Sequence, residues 1–280
     1  MTTLPYREII VGTDGSPTAC SAVRAAASLA GMLDLPLSVV TAWYRERDDA
    51  PPTSEEAKYP GGNASAHEAH WASKTTSEAA GIARRLGVED VSQHTPTGNP
   101  AEALLELADD RPGALVVVGT VGLAARAERF VGNVPHQLTH HASRDLLLVR
   151  PVDDEGPRTW SRVALATDGS STAAVACEHG YHLAKAIGAA PILFTVAKSE
   201  PQGDDVLARA AGQFDDDGDL GQEMALGDDV SAAITEVAPR YDLLVIGNKG
   251  MSGPSRLLGS VSNRITHEVP TDLLLVNTSR

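Results

Sequence analysis

Two glycine-rich segments contain the residues of this sequence that are best suited to bind a phosphate chain. The first reads Gly119-Thr120-Val121-Gly122, then nine residues, then Gly132-Asn133-Val134; the second reads Gly247-Asn248-Lys249-Gly250, then eight residues, then Gly259-Ser260-Val261. Glycine lets a backbone approach oxyanions closely, and the predicted helices 134–141 and 261–268 would present free N–H groups and a positive dipole end. The segments therefore predict two anion-binding loops, with Ser260 as an additional hydroxyl donor and Asn133 as an amide.

A polar turn follows the first apolar run of each half of the chain. Residues 9–16, which end in Thr13-Asp14-Gly15-Ser16, return 154 positions later as residues 163–170, which end in Thr167-Asp168-Gly169-Ser170. Residues 115–119 likewise match 243–247, and 145–149 match 272–276. Internal duplication explains these matches better than chance, so a site built from these motifs is expected twice.

Composition restricts the classes of function. Of the 280 residues, 42% are hydrophobic and 21% are charged, which is typical of a globular protein. A net charge of −14 and an aromatic content of 4% argue against a general nucleic-acid or anionic-membrane binder. Two cysteines cannot form a disulfide framework, and the sequence shows neither a secretion-signal layout nor an apolar run of about 18 residues. We therefore expect a cytoplasmic protein that binds neither nucleic acid nor membrane.

Apolar runs and helical stretches alternate along each half. Runs such as 8–12, 37–42, 115–119 and 146–149 are typical of buried parallel strands, and Ala-rich stretches such as 18–33 are typical of helices. This alternation predicts an α/β fold with two tandem doubly wound, Rossmann-like parallel sheets, each of five strands with helices on both faces. Ligands of such folds bind beyond the carboxyl ends of the strands, where the glycines cluster.

The duplication also predicts the domain organisation. Residues 1–150 and 158–280 form two nucleotide-binding-type domains, joined by a short, Pro-flanked linker at 151–157. The repeated segments are 154 positions apart near the start of each half but 128 apart at 115–119, so the second half has lost residues in between. We expect a loop at 45–62 and a helix at 64–86 in the first half. In the second half we expect a shortened helical segment followed by an acidic loop at 215–219.

The glycine pattern resembles the nucleotide-binding signature of the universal stress protein family, Gly-x2-Gly-x9-Gly-(Ser/Thr), in its tandem-domain form. This resemblance covers nearly the whole chain, including Thr-Asp-Gly-Ser in both halves. It implies binding of ATP or another adenine nucleotide, with any Mg²⁺ held through the phosphates. By resemblance, Asp14 and Asp168 lie at the nucleoside end, and the backbone at Ala42 and Val196 faces adenine. The implied site also contains the strand-one residues Gly12, Thr13, Ala166 and Thr167. Ribose and phosphates are assigned to Gly119, Gly122, Gly132, Asn133 and Val134, and to Gly247, Gly250, Gly259, Ser260 and Val261.

Each half departs once from the family pattern. The first has Asn133 where Ser or Thr is usual, and the second has eight residues between Gly250 and Gly259. We expect both halves to bind nucleotide, with the better-shaped loop in the first. The resemblance further implies that strands 146–149 and 273–276 pair antiparallel, which makes an intramolecular pseudo-dimer and leaves homodimerisation open.

Two other functions stay open: a slow ATP hydrolase or phosphoryl-transfer enzyme on the same fold, and a nucleotide-free interaction scaffold. The sequence shows no recognisable base, arginine finger or metal-binding acid cluster, so no catalytic residue is assigned. Glycine motifs of P-loop NTPases and dinucleotide dehydrogenases are missing from the strand ends. His136 and His140, like His67 and His70, could share a helix face, but no third ligand accompanies them and no metal site is assigned. Cys20 and Cys177 are interpreted as buried structural thiols.

Overall fold

The two repeats build the same order of strands and helices, with one shortened helix in the second. The computed structural model describes residues 4–44, 64–120, 133–152, 156–214, 218–248 and 260–278. The first repeat contains β1 (Glu8–Gly12), α1 (Pro17–Leu33), β2 (Leu37–Val40), α2 (Ala64–Arg85), β3 (Val91–His94), α3 (Pro100–Asp109), β4 (Ala114–Gly119), α4 (Asn133–His141) and β5 (Asp145–Val149). The second contains β6 (Arg162–Ala166), α5 (Ser171–Ala186), β7 (Ala190–Ala197), α6 (Glu200–Ala211), β8 (Gly221–Leu226), α7 (Val230–Val237), β9 (Leu243–Gly247), α8 (Ser260–Glu268) and β10 (Asp272–Val276).

These elements confirm the predicted fold class. Helix α6 has 12 residues where its counterpart α2 has 22, as the length difference between the halves predicts. Strand β2 ends at Val40 and not at Ala42, although Trp43 still forms an isolated bridge with Thr97. The loop expected at 45–62 and residues 215–217 of the acidic loop lie outside the described residues.

The strands form one ten-stranded sheet in the order β3-β2-β1-β4-β5-β10-β9-β6-β7-β8. Pairing is parallel within each repeat, whereas β5 and β10 pair antiparallel, with Leu147 opposite Leu274. This is the strand pairing that the resemblance implies, and it joins the two five-stranded halves edge to edge. Because β5 and β10 run in opposite directions, the strands of the two repeats point in opposite directions within the sheet. Their carboxyl ends therefore lie at opposite edges of the sheet and not at the same edge.

Both faces of the sheet are covered by apolar layers. Ile9 and Val11 of β1 pack into the layer formed with α1, α2, α5 and α6, whereas Ile10 packs into the layer formed with α3, α4, α7 and α8. Strands buried on both faces need continuous apolar runs, which is why β5 and β10 read Asp-Leu-Leu-Leu-Val. No helix in the described part of the chain is both long and apolar enough to cross a bilayer.

Two buried aspartates fasten the repeats to each other at the β5–β10 junction. Asp272, at the start of β10, is fully buried and accepts hydrogen bonds from Arg150 N (2.8 Å), from Trp160 Nε1 (2.9 Å) and from Nε and Nη2 of Arg158 (3.0 and 2.8 Å). A buried carboxylate is stabilised only if such donors surround it. Arg150 and Arg158, which flank the linker, are therefore both bound to the start of β10.

Asp145, at the start of β5, has the equivalent position in the first repeat. It accepts hydrogen bonds from Asn277 N (2.9 Å), from the Tyr6 hydroxyl (2.9 Å) and from His179 Nδ1 (2.7 Å). Each aspartate thus receives a backbone N–H that follows the opposite strand and an aromatic donor that precedes the first strand of its own repeat. The third partner differs, because Asp272 is bound by the Arg158 guanidinium and Asp145 by the ring of His179.

Three histidine rings meet between α4 and α8, across the junction. The centroid of the His136 ring lies 4.8 Å from that of His140 and 6.3 Å from that of His267. Burial lowers the pKa of His140, and the neighbouring His136, His141 and His267 lower it further. Burial also lowers the pKa of His267, assisted by His136 and Arg150 and opposed by Glu268.

These lowered pKa values predict a loss of stability in mild acid. Below the unfolded pKa of about 6.5, the unfolded chain binds protons that folded His140 and His267 do not, so the free energy of unfolding falls as the pH decreases from about 7 to 5.5. The His140→Gln, His267→Gln double variant should flatten this dependence by up to about 1 kcal/mol, since half-exposed groups are screened. Urea denaturation across that pH range measures it. His70→Gln, exposed on α2, is the control, and an equal flattening in the control would contradict the prediction.

Candidate functional site

The sheet order creates one crevice in each repeat at the carboxyl ends of the strands. In the first repeat the chain runs outward from β1 to β2 and β3, then restarts at β4 on the other side of β1. In the second repeat β6 and β9 have the same relationship. Such topological switch points are where ligands bind in open α/β sheets. The predicted site residues that directly follow β1, β4, β6 and β9 therefore lie at these two crevices, β1/β4 and β6/β9.

The turn after β1 is held by its own side chains. Thr13 Oγ1 accepts a hydrogen bond from Gly15 N (3.2 Å), and Asp14 Oδ1 accepts one from Ser16 N (3.0 Å). Gly15 has a φ of +75°, which favours glycine. Ser16 then caps α1 by accepting from Ala19 N (3.2 Å). This turn fixes the backbone of Asp14 at the mouth of the crevice.

The turn after β6 repeats this geometry bond for bond. Thr167 Oγ1 accepts from Gly169 N (3.1 Å), Asp168 Oδ1 accepts from Ser170 N (2.9 Å), and Ser170 Oγ accepts from Ala173 N (3.2 Å). The φ of Gly169 is +79°. The Thr-Asp-Gly-Ser sequence therefore specifies one local structure at both crevices, preceded by Gly12 in the first and Ala166 in the second.

The glycines that end β4 and β9 allow those strands to approach the first turn of a helix. A Cβ atom at Gly119 would lie 2.8 Å from Thr18 O and 3.0 Å from Thr18 C, both in the backbone of α1. At Gly247 the nearest atoms would be Thr278 Cγ2 at 3.3 Å and Thr172 O at 3.4 Å. Glycine is thus needed at position 119 for the packing of β4 against α1.

The residues predicted to face adenine lie beside the turns that follow β1 and β6. They are on the β2 and β7 side of these turns, opposite Gly119 and Gly247. Ala42 follows β2, whose Val40 O accepts from Thr13 N (2.9 Å). Val196 lies near the end of β7, whose Phe194 O accepts from Thr167 N (2.8 Å). Both residues are half-buried.

Buried polar groups distinguish the two crevices. Thr195 Oγ1, before Val196, donates to Thr167 O (2.8 Å), and Asn248 Oδ1, after Gly247, accepts from Thr278 N and Oγ1 (3.0 and 3.1 Å). Their first-repeat counterparts are Thr41 and Thr120, which are 1% and 0% exposed. Neither threonine hydroxyl has a hydrogen-bond partner within the described residues. Within the described residues, Thr41 and Thr120 therefore lack the side-chain hydrogen bonds that Thr195 and Asn248 make.

Helices α4 and α8 begin at the predicted places, with Asn133 and Ser260 as their first residues, followed by Val134 and Val261. Ser262 Oγ donates to Gly247 O (3.0 Å) and ties the start of α8 to the end of β9. Pro135 stands at the equivalent position of α4 and has no such donor. Ser262 is not among the predicted site residues, although a second serine directly after Ser260-Val261 is a visible signal in the sequence.

The remaining predicted glycines, Gly122, Gly132, Gly250 and Gly259, lie outside the described residues. The cysteines border the crevices: Cys177 is buried, and its thiol donates to Ala166 O (3.6 Å), whereas Cys20 is half-buried. Burial raises the pKa of Cys177 to about 12, so its thiolate is suppressed at neutral pH. Among the described residues, no group of three histidine, cysteine or carboxylate side chains is arranged to hold a metal ion.

Comparison with known proteins supports the same grouping of residues into two repeats. The profile of the universal stress protein family matches residues 5–150 and again residues 159–277. A universal stress protein of Mycolicibacterium smegmatis is 27% identical over 96% of this chain and 96% of its own length. One from Mycobacterium tuberculosis is 33% identical over 51% of this chain and 96% of its own length.

Solved structures agree in fold. A universal stress protein from Archaeoglobus fulgidus aligns with 97% of this chain and 98% of its own, with a TM-score of 0.72 at 14% identity. Because the family profile covers both repeats, and a relative from Mycolicibacterium smegmatis matches from end to end, the chain belongs to the universal stress protein family.

Proposed function

We propose that the chain binds an adenine nucleotide, preferentially ATP, in the β1/β4 and β6/β9 crevices and acts as a nucleotide-dependent signalling or stress-response module. The observation that carries this proposal is the duplicated turn, in which Thr-Asp-Gly-Ser makes the same hydrogen bonds at both switch points. A site retained twice with the same geometry is better explained by a shared ligand than by two independent structural turns.

The net negative charge of the chain favours a site that binds phosphate through backbone amides. The chain has a net charge of −14, so a polyphosphate needs local donors to overcome the long-range repulsion. Helices α4 and α8 have nine residues each, and the start of α8 lies at the end of β9, where Ser262 Oγ donates to Gly247 O (3.0 Å). Their first-turn N–H groups can stabilise phosphate oxygens without basic side chains, and Mg²⁺ would then be held through the phosphates.

The first repeat is proposed as the tighter site. A buried hydroxyl without a partner costs about 1–3 kcal/mol, and a bound ligand that pairs with it recovers part of that free energy. Thr41 and Thr120 offer two such hydroxyls at the first crevice, whereas Thr195 and Asn248 are already paired at the second. Nucleotide should therefore fill the first crevice at the lower concentration.

Binding of nucleotide at the first crevice can affect the repeat junction through the ends of β4 and β5. Thr120 N, directly after β4, donates to Val149 O (3.1 Å), and the next residue, Arg150, donates its backbone N–H to Asp272. A ligand that holds Thr120 in place at the end of β4 would thus stabilise one arrangement of the two repeats, which is a population shift. Since β5 and β10 already pair within the chain, a homodimer would have to use another surface. The free thiols Cys20 and Cys177 fit the reducing environment of the cytoplasm, where we expect the protein to act.

Calorimetric titration of the full chain with ATP, ADP, AMP and GTP tests the proposal. Asp14→Asn keeps an oxygen acceptor for Ser16 N but removes the carboxylate charge, and Asp168→Asn does the same in the second repeat. Each variant should weaken one of two ATP sites about tenfold or more, as expected for a lost hydrogen bond to a charged group. Asp204→Asn, exposed on α6, is the matched control. Failure of ATP to bind the folded wild-type chain would overturn the proposal.

A further inference from the structure

Helices α4 and α8 are each bound to both repeats. Each helix belongs to one repeat and is held near its carboxyl end by a residue that follows the last strand of the other. Arg150, after β5, donates from Nη2 to Thr266 O of α8 (2.9 Å). Asn277, after β10, donates from Nδ2 to Ala142 O at the end of α4 (3.0 Å). The contact between the two helices is therefore part of the repeat junction.

The three histidine rings described above form this contact. His136 and His140 lie one turn apart on α4, with ring centroids 4.8 Å from each other, and the His267 ring of α8 lies 6.3 Å from that of His136. His136 is exposed, whereas His140 and His267 are half-buried. Nδ1 of His140 is buried and has no hydrogen-bond partner among the described residues. A proton added there would be neither solvated nor paired, so this arrangement suits neutral rings.

The surrounding charges do not compensate protonation of these rings. His136, His141 and His267 lower the pKa of His140, and His136 and Arg150 lower that of His267. The one carboxylate that raises the pKa of His267 belongs to Glu268, which also pairs with Arg264 (3.6 Å). The other acidic groups on the elements packed against α4 and α8 are exposed or bound by the donors already described: Glu102, Glu106 and Asp109 of α3, Asp229 and Glu236 at α7, and Asp145 and Asp272 of the strands.

Protonation of two rings would place like charges 4.8–6.3 Å apart between the helices. Such charges repel each other strongly where water is partly excluded, and separation of the helices relieves the repulsion. We propose that His136, His140 and His267 form a pH-sensitive contact, which takes up protons in mild acid, drives α4 and α8 apart and thereby weakens nucleotide binding. The effect on nucleotide rests on the proposed function, in which the first turns of these helices bind the phosphates.

The second crevice should respond most directly to this opening. Ser262 Oγ joins the first turn of α8 to Gly247 O at the end of β9 (3.0 Å), and Thr266 Oγ1 donates to Ser262 O (2.8 Å) one turn further on. His267 directly follows Thr266. A displacement of this turn is therefore transmitted to the strand end that borders the crevice.

Hydrogen exchange of the nucleotide-free chain tests the opening at about pH 7.5 and about pH 5.8, on either side of the ordinary histidine pKa of about 6.5. After correction for the intrinsic pH dependence of exchange, amides of α4 and α8 should lose protection about fivefold or more in acid, whereas those of α1 should not. The His140→Gln, His267→Gln double variant, which stays neutral, should show no such loss. His70→Gln, exposed on α2, should behave like the wild type.

His136→Gln is the second variant, at the exposed member of the contact. It removes a cationic neighbour from both other rings, so the NMR titration midpoints of His140 and His267 should each move to higher pH. Midpoints that stay in place would show that the three rings do not interact and would overturn the proposal.

Calorimetric titration with ATP at the same two pH values tests the coupling to nucleotide. The affinity of the weaker binding step, assigned to the second crevice, should fall about fivefold or more in acid beyond any fall in the double variant, in which the phosphates titrate equally. An equal fall in both proteins would overturn the coupling. Exchange that is unchanged in acid, or changed equally in the double variant, would overturn the pH-sensitive contact itself. A wild-type chain that binds no ATP at about pH 7.5 would contradict the proposed function, and the exchange result would still decide the contact.

Discussion

Replacing Asp272 with alanine should lower the free energy of unfolding by about 3–5 kcal/mol, the range for removing one partner of a buried ion pair. The substitution leaves the Arg158 guanidinium without its bidentate partner and the buried Trp160 Nε1–H without an acceptor. It also removes the acceptor of Arg150 N, so the linker loses its attachment to β10. Urea denaturation followed by circular dichroism measures the change.

Two further variants control that result. Asp204→Ala removes an exposed carboxylate from α6 and should change the free energy of unfolding by less than about 0.5 kcal/mol. Asp145→Ala breaks the equivalent contacts to Tyr6, His179 and Asn277, so it should also destabilise the chain by more than about 1 kcal/mol. An Asp272→Ala protein as stable as Asp204→Ala would show that the junction does not depend on this network.

Gly119→Ala should damage the first crevice, whereas Gly247→Ala should be tolerated in the second. At Gly119 the new methyl group would lie 2.8 Å from the backbone of α1, so β4 or the helix must move, at a cost of about 1–3 kcal/mol in stability. Since the same backbone shapes the crevice, ATP affinity at the first site should fall at least about tenfold, as for other misplacements of binding groups. Denaturation and ATP titration measure the two effects.

Gly247→Ala is the matched control because its closest contacts are 3.3 and 3.4 Å, and the nearer atom belongs to the side chain of Thr278. A few tenths of an ångström of movement there should change stability by less than about 1 kcal/mol. If Gly247→Ala destabilised the protein as much as Gly119→Ala, the close approach of β4 to α1 would not explain the requirement for glycine.

The strands and the site turns could be predicted from short sequence patterns because residues close together in the sequence determine them. The runs at 8–12 and 146–149 are apolar on both faces, as a strand buried between two helical layers requires. The turns at Thr13–Ser16 and Thr167–Ser170 depend on side chains that bond two or three residues along the chain. Because the sequence is duplicated, each of these patterns occurs twice.

The junction and the differences between the crevices depend on contacts that sequence spacing does not specify. Asp272 collects donors from residues more than a hundred positions away, and His267 meets His136 only because β5 and β10 pair. Thr41 and Thr195 are equivalent in sequence, yet only Thr195 has a hydrogen-bond partner within the described residues.

Native mass spectrometry during ATP titration tests the central claim most directly, because it counts nucleotides bound to each chain. Two crevices of unequal affinity predict one bound ATP at low concentration and a second at higher concentration, with Asp14→Asn delaying the first and Asp168→Asn the second. A folded chain that carries no nucleotide even at saturating ATP, or whose bound nucleotide is insensitive to both aspartate variants, would contradict the claim.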